Sequence, residues 1–268
     1  MQRPRLVASD VDGTLLDSME QVSSRTAHAV ARVTASGTPF ILVSGRPPRW
    51  IPKVAQEAGL TGYAICANGA VIYDIAEDRV VSAHGLDPVQ LHDVAHALDS
   101  VIPGIRLATE RPATANPDYP AFLTELSYAS PWGDGENFAA TRAEVLGKTA
   151  VKLLVRHEKM TSEEMAVAAD AVLDDSVTVT FSTSRGLLEI SARGVTKATG
   201  LAEAAEMLSL DASGVVAFGD MPNDIEMIRW AGHGVAMANA HAEVLAVADE
   251  VTAPNFEDGV AQVLERWF

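Results

Sequence analysis

Four short groups of polar residues in this chain have types and spacings that could do chemistry. The first covers residues 10–14, Asp-Val-Asp-Gly-Thr, and follows the apolar run of residues 6–9. Such a run is typical of a buried strand, and Gly13 indicates a sharp turn at its end. Two carboxylates about 4 Å apart repel each other by roughly 4 kcal/mol at an effective dielectric near 20. Asp10 and Asp12 therefore predict a metal site, a nucleophile, or both.

The other three groups also lie where predicted strands or helices meet loops. Ser44 and Gly45 follow the apolar run of residues 40–43, and Lys197 opens a helix predicted over 196–208. Residues 219–224, Gly-Asp-Met-Pro-Asn-Asp, follow the apolar run of residues 215–218. In a parallel sheet the carboxyl ends of the strands share one edge. We therefore expect the four groups to converge there.

Together these groups would supply carboxylates, one ammonium, one hydroxyl and several backbone N–H groups. The carboxylates are Asp10, Asp12, Asp220 and Asp224. Hard oxygen ligands without histidine or cysteine favour Mg²⁺, which usually takes one or two carboxylates plus phosphate oxygens of a substrate. A hydroxyl and backbone amides after a strand can donate hydrogen bonds to the same phosphate.

Composition narrows the class of protein further. The chain has 268 residues, 48% of them hydrophobic, and a net charge of −16. That charge argues against nucleic acid and anionic membrane surfaces as partners, since both require basic patches. No apolar run is long enough to span a membrane, and because no apolar region precedes the first strand we expect no signal peptide. A single cysteine, Cys66, fits a reducing compartment, so we expect a cytoplasmic protein.

Strand and helix signals alternate over the first and last parts of the chain. This alternation predicts an α/β fold with a doubly wound parallel sheet. The pattern breaks near residue 86, and we interpret residues 86–185 as an inserted α+β domain. Within it, residues 104–138 are predicted to be irregular, followed by a helix over about 136–146 and by strands over 150–155 and 177–182. A further strand is predicted just after it, over 187–191.

The four groups, in this order and with an insert between the second and the third, resemble the motifs of the haloacid dehalogenase superfamily. The insert position and the phrase Gly-Asp-Met-Pro-Asn-Asp-Ile-Glu-Met at 219–227 are similar to its Cof-type phosphatases. The resemblance spans nearly the whole chain. It implies a Rossmann-like catalytic core over 1–85 and 186–268, with residues 86–185 forming a type IIB cap that closes over the site and selects the leaving group.

The resemblance also implies residue roles. Asp10 would be the nucleophile that forms an aspartyl-phosphate, and Asp12 the general acid and then the general base. Mg²⁺ would be held by Asp10, the backbone carbonyl of Asp12, Asp220 and, through water, Asp224. The phosphoryl oxygens would be bound by Val11, Ser44, Gly45, Lys197 and Asn223.

Several other residues have two possible interpretations. Arg46 either binds substrate or pairs with carboxylates, and Asn68 is either a turn residue or a substrate contact. His92 and His96 are spaced as zinc ligands on a helix can be, but the sequence nearby offers no evident third ligand. We therefore expect both side chains to lie on the surface without a metal. We expect Cys66 in the core. The aromatic residues of the insert either line its specificity surface or pack in its core, and we favour the core: Tyr119, Tyr128 and Trp132, beside the loop 133–135.

The expected function is Mg²⁺-dependent hydrolysis of a small phosphorylated metabolite, such as a sugar phosphate, pyridoxal phosphate or flavin mononucleotide, by a monomer or homodimer. One alternative is a phosphotransferase or phosphomutase that uses the same aspartyl-phosphate. Another is a non-catalytic protein that binds a phosphorylated ligand. A pure binder has no need for a general acid at Asp12, which argues against the last alternative.

Overall fold

The computed structural model describes residues 3–112, 120–130, 133 and 137–268. The chain divides into two compact units, Met1–Ser82 with Thr196–Phe268 and, between them in sequence, Ala83–Val195. The insert therefore ends later than the predicted residue 185. The reason is that strand Leu187–Ala192 pairs with two other strands of the inserted unit and not with the sheet of the first.

The first unit is built on an eight-stranded sheet. Strands are numbered along the whole chain, and the order across this sheet is β14-β13-β12-β1-β2-β3-β4-β5. Neighbours from β14 to β3 are parallel, while β3 and β4 form an antiparallel pair. The strands are β1 Leu6–Ser9, β2 Phe40–Val43, β3 Tyr63–Cys66, β4 Val71–Asp74, β5 Arg79–Ala83, β12 Val215–Gly219, β13 His233–Ala236 and β14 Glu250–Val251. The predicted α/β class with a doubly wound parallel sheet is confirmed.

The helices of this unit begin and end at the residues that favour such ends. Ser23 caps α1 by accepting a hydrogen bond from the Thr26 N–H, and Gly59 ends α2 with a left-handed backbone, φ +69°. Thr196 and Thr199 form a reciprocal capping box at the start of α6. The helices are α1 Ser24–Ala35, α2 Ile51–Ala58, α6 Lys197–Met207, α7 Ile225–Trp230, α8 Ala242–Leu245 and α9 Gly259–Leu264.

The core of the first unit explains why its central strands are continuous apolar runs. Every residue of β1 and β12 is buried. Leu6 and Ala8 lie in one hydrophobic cluster with Leu201 and Ala204 of α6. Strands covered on both faces lose the alternation of apolar and polar residues. Their polar continuations, including Asp10, are left at the carboxyl edge of the sheet.

The second unit carries a six-stranded sheet in the order β10-β11-β9-β6-β7-β8. Leucine and isoleucine side chains of β6, β9 and β11 form one core with α3 and α5. The elements are α3 Pro88–Val101, β6 Arg106–Glu110, β7 Phe122–Glu125, β8 Phe138–Ala140, α4 Arg142–Leu146, β9 Lys152–Arg156, α5 Ser162–Asp170, β10 Val177–Thr180 and β11 Leu187–Ala192.

Two predictions for the insert are wrong. Residues 104–138 are not irregular throughout, because β6 and β7 lie within them and β8 begins at their end. The helix expected over 136–146 begins at Arg142, where Thr141 caps it, and is preceded by β8. Charged residues at both ends of β6 hide its strand pattern, and its pairing partner β9 lies far along the chain.

The remaining interpretations of single residues have mixed outcomes. Cys66 is buried, and Tyr128 packs in a small core with Phe122. His92 and His96 are exposed. Tyr119, Trp132 and residues 134–135 lie outside the described residues. No helix in the described ranges is both long and apolar enough to cross a membrane.

Candidate active site

The four groups of polar residues meet at the carboxyl edge of the first unit's sheet, as predicted. Asp10 follows β1 and Asp220 follows β12, and these two strands are neighbours in the sheet. Lys197 is the first residue of α6, and its ammonium bonds the carboxylates of Asp10 and Asp224, each at 2.6 Å. The Thr14 hydroxyl donates to Asp220 Oδ1 at 3.1 Å. The site therefore joins segments that lie at opposite ends of the sequence.

Three carboxylates form the centre of this site. Asp10, Asp220 and Asp224 are 4%, 6% and 0% exposed, and one oxygen from each lies within 4.8 Å of the others. Two backbone groups hold Asp224 in place, because its Oδ2 accepts from the N–H groups of Asp220 and Met221, each at 3.0 Å. The chain thus concentrates negative charge where water cannot screen it.

Lys197 compensates part of this charge. Its side chain is almost completely buried, in contact with two of the three carboxylates. Burial by itself would lower the pKa of Lys197, but the charges of Asp10 and Asp224 raise it above its ordinary value. The ammonium therefore stays charged and acts as a fixed counter-ion.

The carboxylates remain under electrostatic stress despite Lys197. Burial raises the pKa of Asp10 well above its ordinary value, and Asp224 and Asp220 add to the rise while Lys197 opposes it. Burial and the charge of Asp224 raise the pKa of Asp220 to about 7. Buried groups with strongly shifted pKa values in a polar cluster are typical of functional sites.

The donor set fits a hard divalent cation. Lys197 carries one positive charge against the formal charges of three carboxylates, so a divalent ion would balance the remainder. Oxygen donors without nitrogen or sulfur are the ligands that Mg²⁺ prefers. Within the described residues, these aspartates are the one group of metal-ligating side chains found together. Among the residues that the structure describes, His92 and His96 have no such neighbours.

Asp12 is placed differently from Asp10. The Asp12 side chain is 54% exposed and forms a two-point ion pair with Arg46. Arg46 Nε and Nη2 lie 2.8 and 2.5 Å from the two carboxylate oxygens of Asp12. Of the two interpretations of Arg46, the structure shows the pairing with a carboxylate, and that carboxylate is Asp12. The two neighbouring aspartates therefore point to separate environments, one buried with Lys197 and one accessible beside a guanidinium.

Gly13 makes this separation possible. Its φ of +80° is in the left-handed region that side chains rarely adopt, and a Cβ there would lie 2.3 Å from Asp220 Oδ2. The turn closes with a hydrogen bond from the Leu16 N–H to the Val11 carbonyl at 2.9 Å. The backbone thus passes directly against the Asp220 carboxylate, which only glycine permits.

The other predicted residues surround the carboxylates. Ser44 is completely buried, and its Oγ accepts from the Arg46 N–H at 3.1 Å. Gly45 is half-buried, and Val11 is buried between the two aspartates. Asn223 is 9% exposed and donates through Nδ2 to Asn68 Oδ1 at 3.1 Å. Each lies in the loops or helix starts at this edge of the sheet.

Two supporting residues were missed by the sequence analysis. Thr14 was part of the first motif but had no role assigned, and it bonds Asp220. The Asn239 side chain donates to the Gly13 carbonyl at 2.9 Å and accepts from the Asn255 N–H at 2.9 Å. No sequence pattern marks Asn239, because its partners come from distant segments.

Comparison with known proteins shows the family of this chain. The family model of the haloacid dehalogenase-like hydrolases matches residues 7–264. The 5-amino-6-(5-phospho-D-ribitylamino)uracil phosphatase YitU of Bacillus subtilis is 29% identical, over 99% of this chain and 98% of that protein.

Solved structures share the fold over nearly the full length. A haloacid dehalogenase-like hydrolase from B. subtilis has a TM-score of 0.83 at 24% identity, covering 98% of this chain and 100% of that one. The subclass IIB sugar phosphatase BT4131 has a TM-score of 0.82 at 22% identity, covering 98% of both chains. At these identities the structural likeness carries the fold and no finer statement.

Proposed function

The chain belongs to the haloacid dehalogenase-like hydrolases and is a phosphatase, and we propose that it is of their IIB type and hydrolyses a small phosphorylated metabolite through Asp10. The observation that carries the proposal is the buried group of Asp10, Asp220 and Asp224 around the Lys197 ammonium. Such a site can accept a phosphoryl dianion only if cations balance its own charge. That requirement supports a bound metal together with Lys197.

Asp10 is the proposed nucleophile. Its carboxylate oxygen would form a bond to phosphorus while the ester P–O bond breaks, giving an aspartyl-phosphate and an alkoxide. Lys197 supports this role because it favours the ionised form of a carboxyl whose burial otherwise raises its pKa. The 2.6 Å bond to Lys197 also holds the carboxylate in place, which lowers the entropy that a nucleophile loses on the way to the transition state.

Asp12 is the proposed proton carrier. It would give its proton to the departing alkoxide and then take one from the water that hydrolyses the aspartyl-phosphate. Its accessible side chain supports this role, because a group that exchanges protons with a leaving group and with water must reach both. Arg46 fixes the position of its carboxylate.

Asp10, the Asp12 backbone carbonyl, Asp220 and Asp224 are the proposed holders of Mg²⁺, which when bound supplies positive charge that stabilises the transferring phosphoryl group. The phosphoryl oxygens would bind donors from four segments of the chain. The proposed donors are the Val11 and Gly45 N–H groups, the Ser44 hydroxyl, the Lys197 ammonium and the Asn223 amide. Asp224 is already bonded to Lys197 and to two backbone N–H groups. We therefore propose that it contributes to the metal site through water.

The substrate is proposed to be a phosphomonoester of a small metabolite, of the sugar phosphate, pyridoxal phosphate or flavin mononucleotide type. The similarity to YitU, whose name gives a phosphorylated ribitylaminouracil as substrate, supports a small polar leaving group. The inserted unit, Ala83–Val195, is the proposed selector of that leaving group. A phosphotransferase or phosphomutase would form the same aspartyl-phosphate but pass it to a second substrate hydroxyl.

The test uses p-nitrophenyl phosphate and a panel of metabolite phosphates. We expect release of inorganic phosphate to require Mg²⁺ and to stop in EDTA. Asp10→Asn should abolish turnover, at least about 10⁴-fold, because it removes the nucleophilic oxygen charge. Asp74→Asn, at the end of β4 and outside the carboxylate group, is the control and should keep wild-type rates.

Three outcomes would contradict the proposal. Turnover that is unchanged in EDTA would remove the metal from the reaction. Turnover by folded Asp10→Asn at wild-type rates would exclude Asp10 as nucleophile. Phosphate that appears on an added alcohol and not in solution would favour the transferase.

A further inference from the structure

The turn that follows β3 has an unusual backbone. Ala67, Asn68 and Gly69 are three consecutive residues with positive φ, +50°, +58° and +102°. Non-glycine residues in this region cost about 1 kcal/mol or more each, and such strain persists only where surrounding contacts hold it. The contacts around this turn therefore indicate its role.

One set of contacts holds the loop after β2. The Asn68 N–H donates to the Ser44 carbonyl at 3.0 Å, and the Ala67 N–H donates to the Arg46 carbonyl at 2.9 Å. Both N–H groups therefore bond the loop that follows β2. The turn thus fixes the backbone that carries the Ser44 hydroxyl.

A second contact holds the start of α6. A Cβ at Gly69 would lie 1.9 Å from the Thr196 carbonyl oxygen and 3.2 Å from the Lys197 nitrogen. From the other side, a Cβ at Gly200 would lie 2.8 Å from Gly69 Cα. The two glycines let the turn pack directly on the first turn of α6, the turn that carries Lys197.

The third contact is made by the Asn68 side chain. It is 2% exposed, and its Oδ1 accepts the hydrogen bond from Asn223 Nδ2 at 3.1 Å. An amide NH₂ has two hydrogens, so this bond uses one and leaves the other in a fixed direction. Asn223 Oδ1 is buried without a hydrogen-bond partner among the described residues. Asn68 thereby sets the rotation of the Asn223 amide.

We infer that Asn68 is a positioning residue for phosphoryl binding and not a contact to the leaving group. Its backbone holds the loop that carries Ser44 and its side chain orients Asn223, while its neighbour Gly69 packs on the turn that carries Lys197. The inference rests on the proposed function, since it assigns a role within that same site. It also gives a reason for the strained backbone, because the strained turn bonds the loop after β2, packs on the start of α6 and bonds Asn223 at the same time.

This role has a measurable signature. A residue that contacts the leaving group would change the preference among substrates. Replacing a residue that positions phosphate donors should weaken the binding of every phosphomonoester by the same factor. It should also weaken the binding of inorganic phosphate, which has no leaving group. A merely structural residue would lower the melting temperature without changing the affinity for phosphate.

Asn68→Gly removes the amide but keeps a backbone that tolerates positive φ. We expect kcat/KM to fall roughly 3- to 10-fold for p-nitrophenyl phosphate and for each metabolite phosphate, the range for one neutral hydrogen bond. The inhibition constant of inorganic phosphate should rise by a similar factor. Ser209→Gly is the matched control, because Ser209 also has positive φ, +57°, and is exposed at the end of α6.

A double-mutant cycle tests whether Asn68 acts through Asn223. In the Asn223→Ala background, Asn68→Gly should cost less than about 2-fold, since the amide that it orients is gone. Full, independent losses from the two changes would overturn the inference, as would a substrate-dependent loss or an unchanged inhibition constant for phosphate. These outcomes leave the proposed function standing as long as Asp10→Asn abolishes turnover. If Asp10→Asn retains turnover, the proposed function itself fails.

Discussion

Replacing Lys197 by methionine should show how much this one ammonium stabilises the folded protein. Lys197→Met keeps the length and the apolar stem of the side chain but leaves Asp10, Asp220 and Asp224 without their ammonium. Breaking a buried ion pair by removing one partner typically costs about 3–5 kcal/mol, because the other charge stays buried. Two of these carboxylates contact Lys197 directly. We therefore expect a loss of about 3–5 kcal/mol in the free energy of unfolding in EDTA at about pH 8.

The loss should depend on pH in a defined direction. Burial already raises the pKa of Asp10 above its ordinary 3.8, and Lys197 opposes that rise. Without Lys197 the folded protein holds this proton more tightly than the unfolded chain does. Stability is then fully retained only at low pH and is lost as pH rises through the interval between the unfolded and folded pKa values. The difference between wild type and variant should therefore be smaller at about pH 5.5 than at about pH 8.

Urea denaturation at both pH values, with and without Mg²⁺, measures these differences. Lys152→Met is the matched control, because Lys152 is also buried and forms an ion pair with Glu189 at 3.2 Å. Mg²⁺ should restore part of the stability of Lys197→Met, since a cation that binds only the folded state stabilises it. It should not restore Lys152→Met, which lies outside the carboxylate group.

Three results would refute this reasoning. A loss below about 1 kcal/mol at about pH 8, the value typical of an exposed pair, would mean that Lys197 does not balance the buried charge. An equal loss at both pH values would mean that the removal of Lys197 does not change the proton binding of Asp10. Equal recovery of both variants in Mg²⁺ would mean that the cation does not act at this site.

Two further substitutions test the turn that carries Asp12. Gly13→Ala should lower kcat/KM at least about 10-fold and should destabilise the fold more than Gly37→Ala does. Both glycines have φ near +80°, so Gly37→Ala should lose about 1–2 kcal/mol of unfolding free energy from backbone strain alone. Gly13→Ala should lose more, because only a Cβ at Gly13 clashes with Asp220. Equal unfolding free energies of the two variants would contradict the clash. Arg46→Lys should lower kcat for alkyl phosphates about 10-fold but should change kcat for p-nitrophenyl phosphate little. The substitution replaces the two hydrogen bonds that hold the Asp12 carboxylate, and only a poor leaving group such as an alkoxide needs a proton from Asp12. An equal loss for both substrates would show that Arg46 does not act through Asp12.

The sequence predicted well whatever depends on short stretches of chain. The apolar run before Asp10 predicted a buried strand, and Gly13 predicted a turn that the structure shows at φ +80°. The alternation of strand and helix signals was enough for the parallel sheet, because crossover connections between parallel strands follow few rules. Once the sheet was assigned, the meeting of Asp10 and Asp220 at one edge followed from topology.

The inserted unit was harder to predict for the same physical reason. Strands β6, β7 and β8 pair over long sequence separations, and nothing within a strand of three to five residues identifies its partner. Charged residues at the ends of β6 also hide its pattern. The end of the insert was wrong because β11 looks like any apolar strand until its pairing with β9 is known.

The sequence by itself indicated the residues that we propose for the chemistry, because residue type and spacing set which functional groups the end of a strand presents. Only the tertiary structure decided how their charges are shared. In the folded protein the Lys197 ammonium lies between Asp10 and Asp224. Asp12 forms an ion pair with Arg46, and Asn68 accepts a hydrogen bond from Asn223. These partners are far apart in the chain, and electrostatic and hydrogen-bond energies depend on distance in space and on burial, neither of which a local pattern contains.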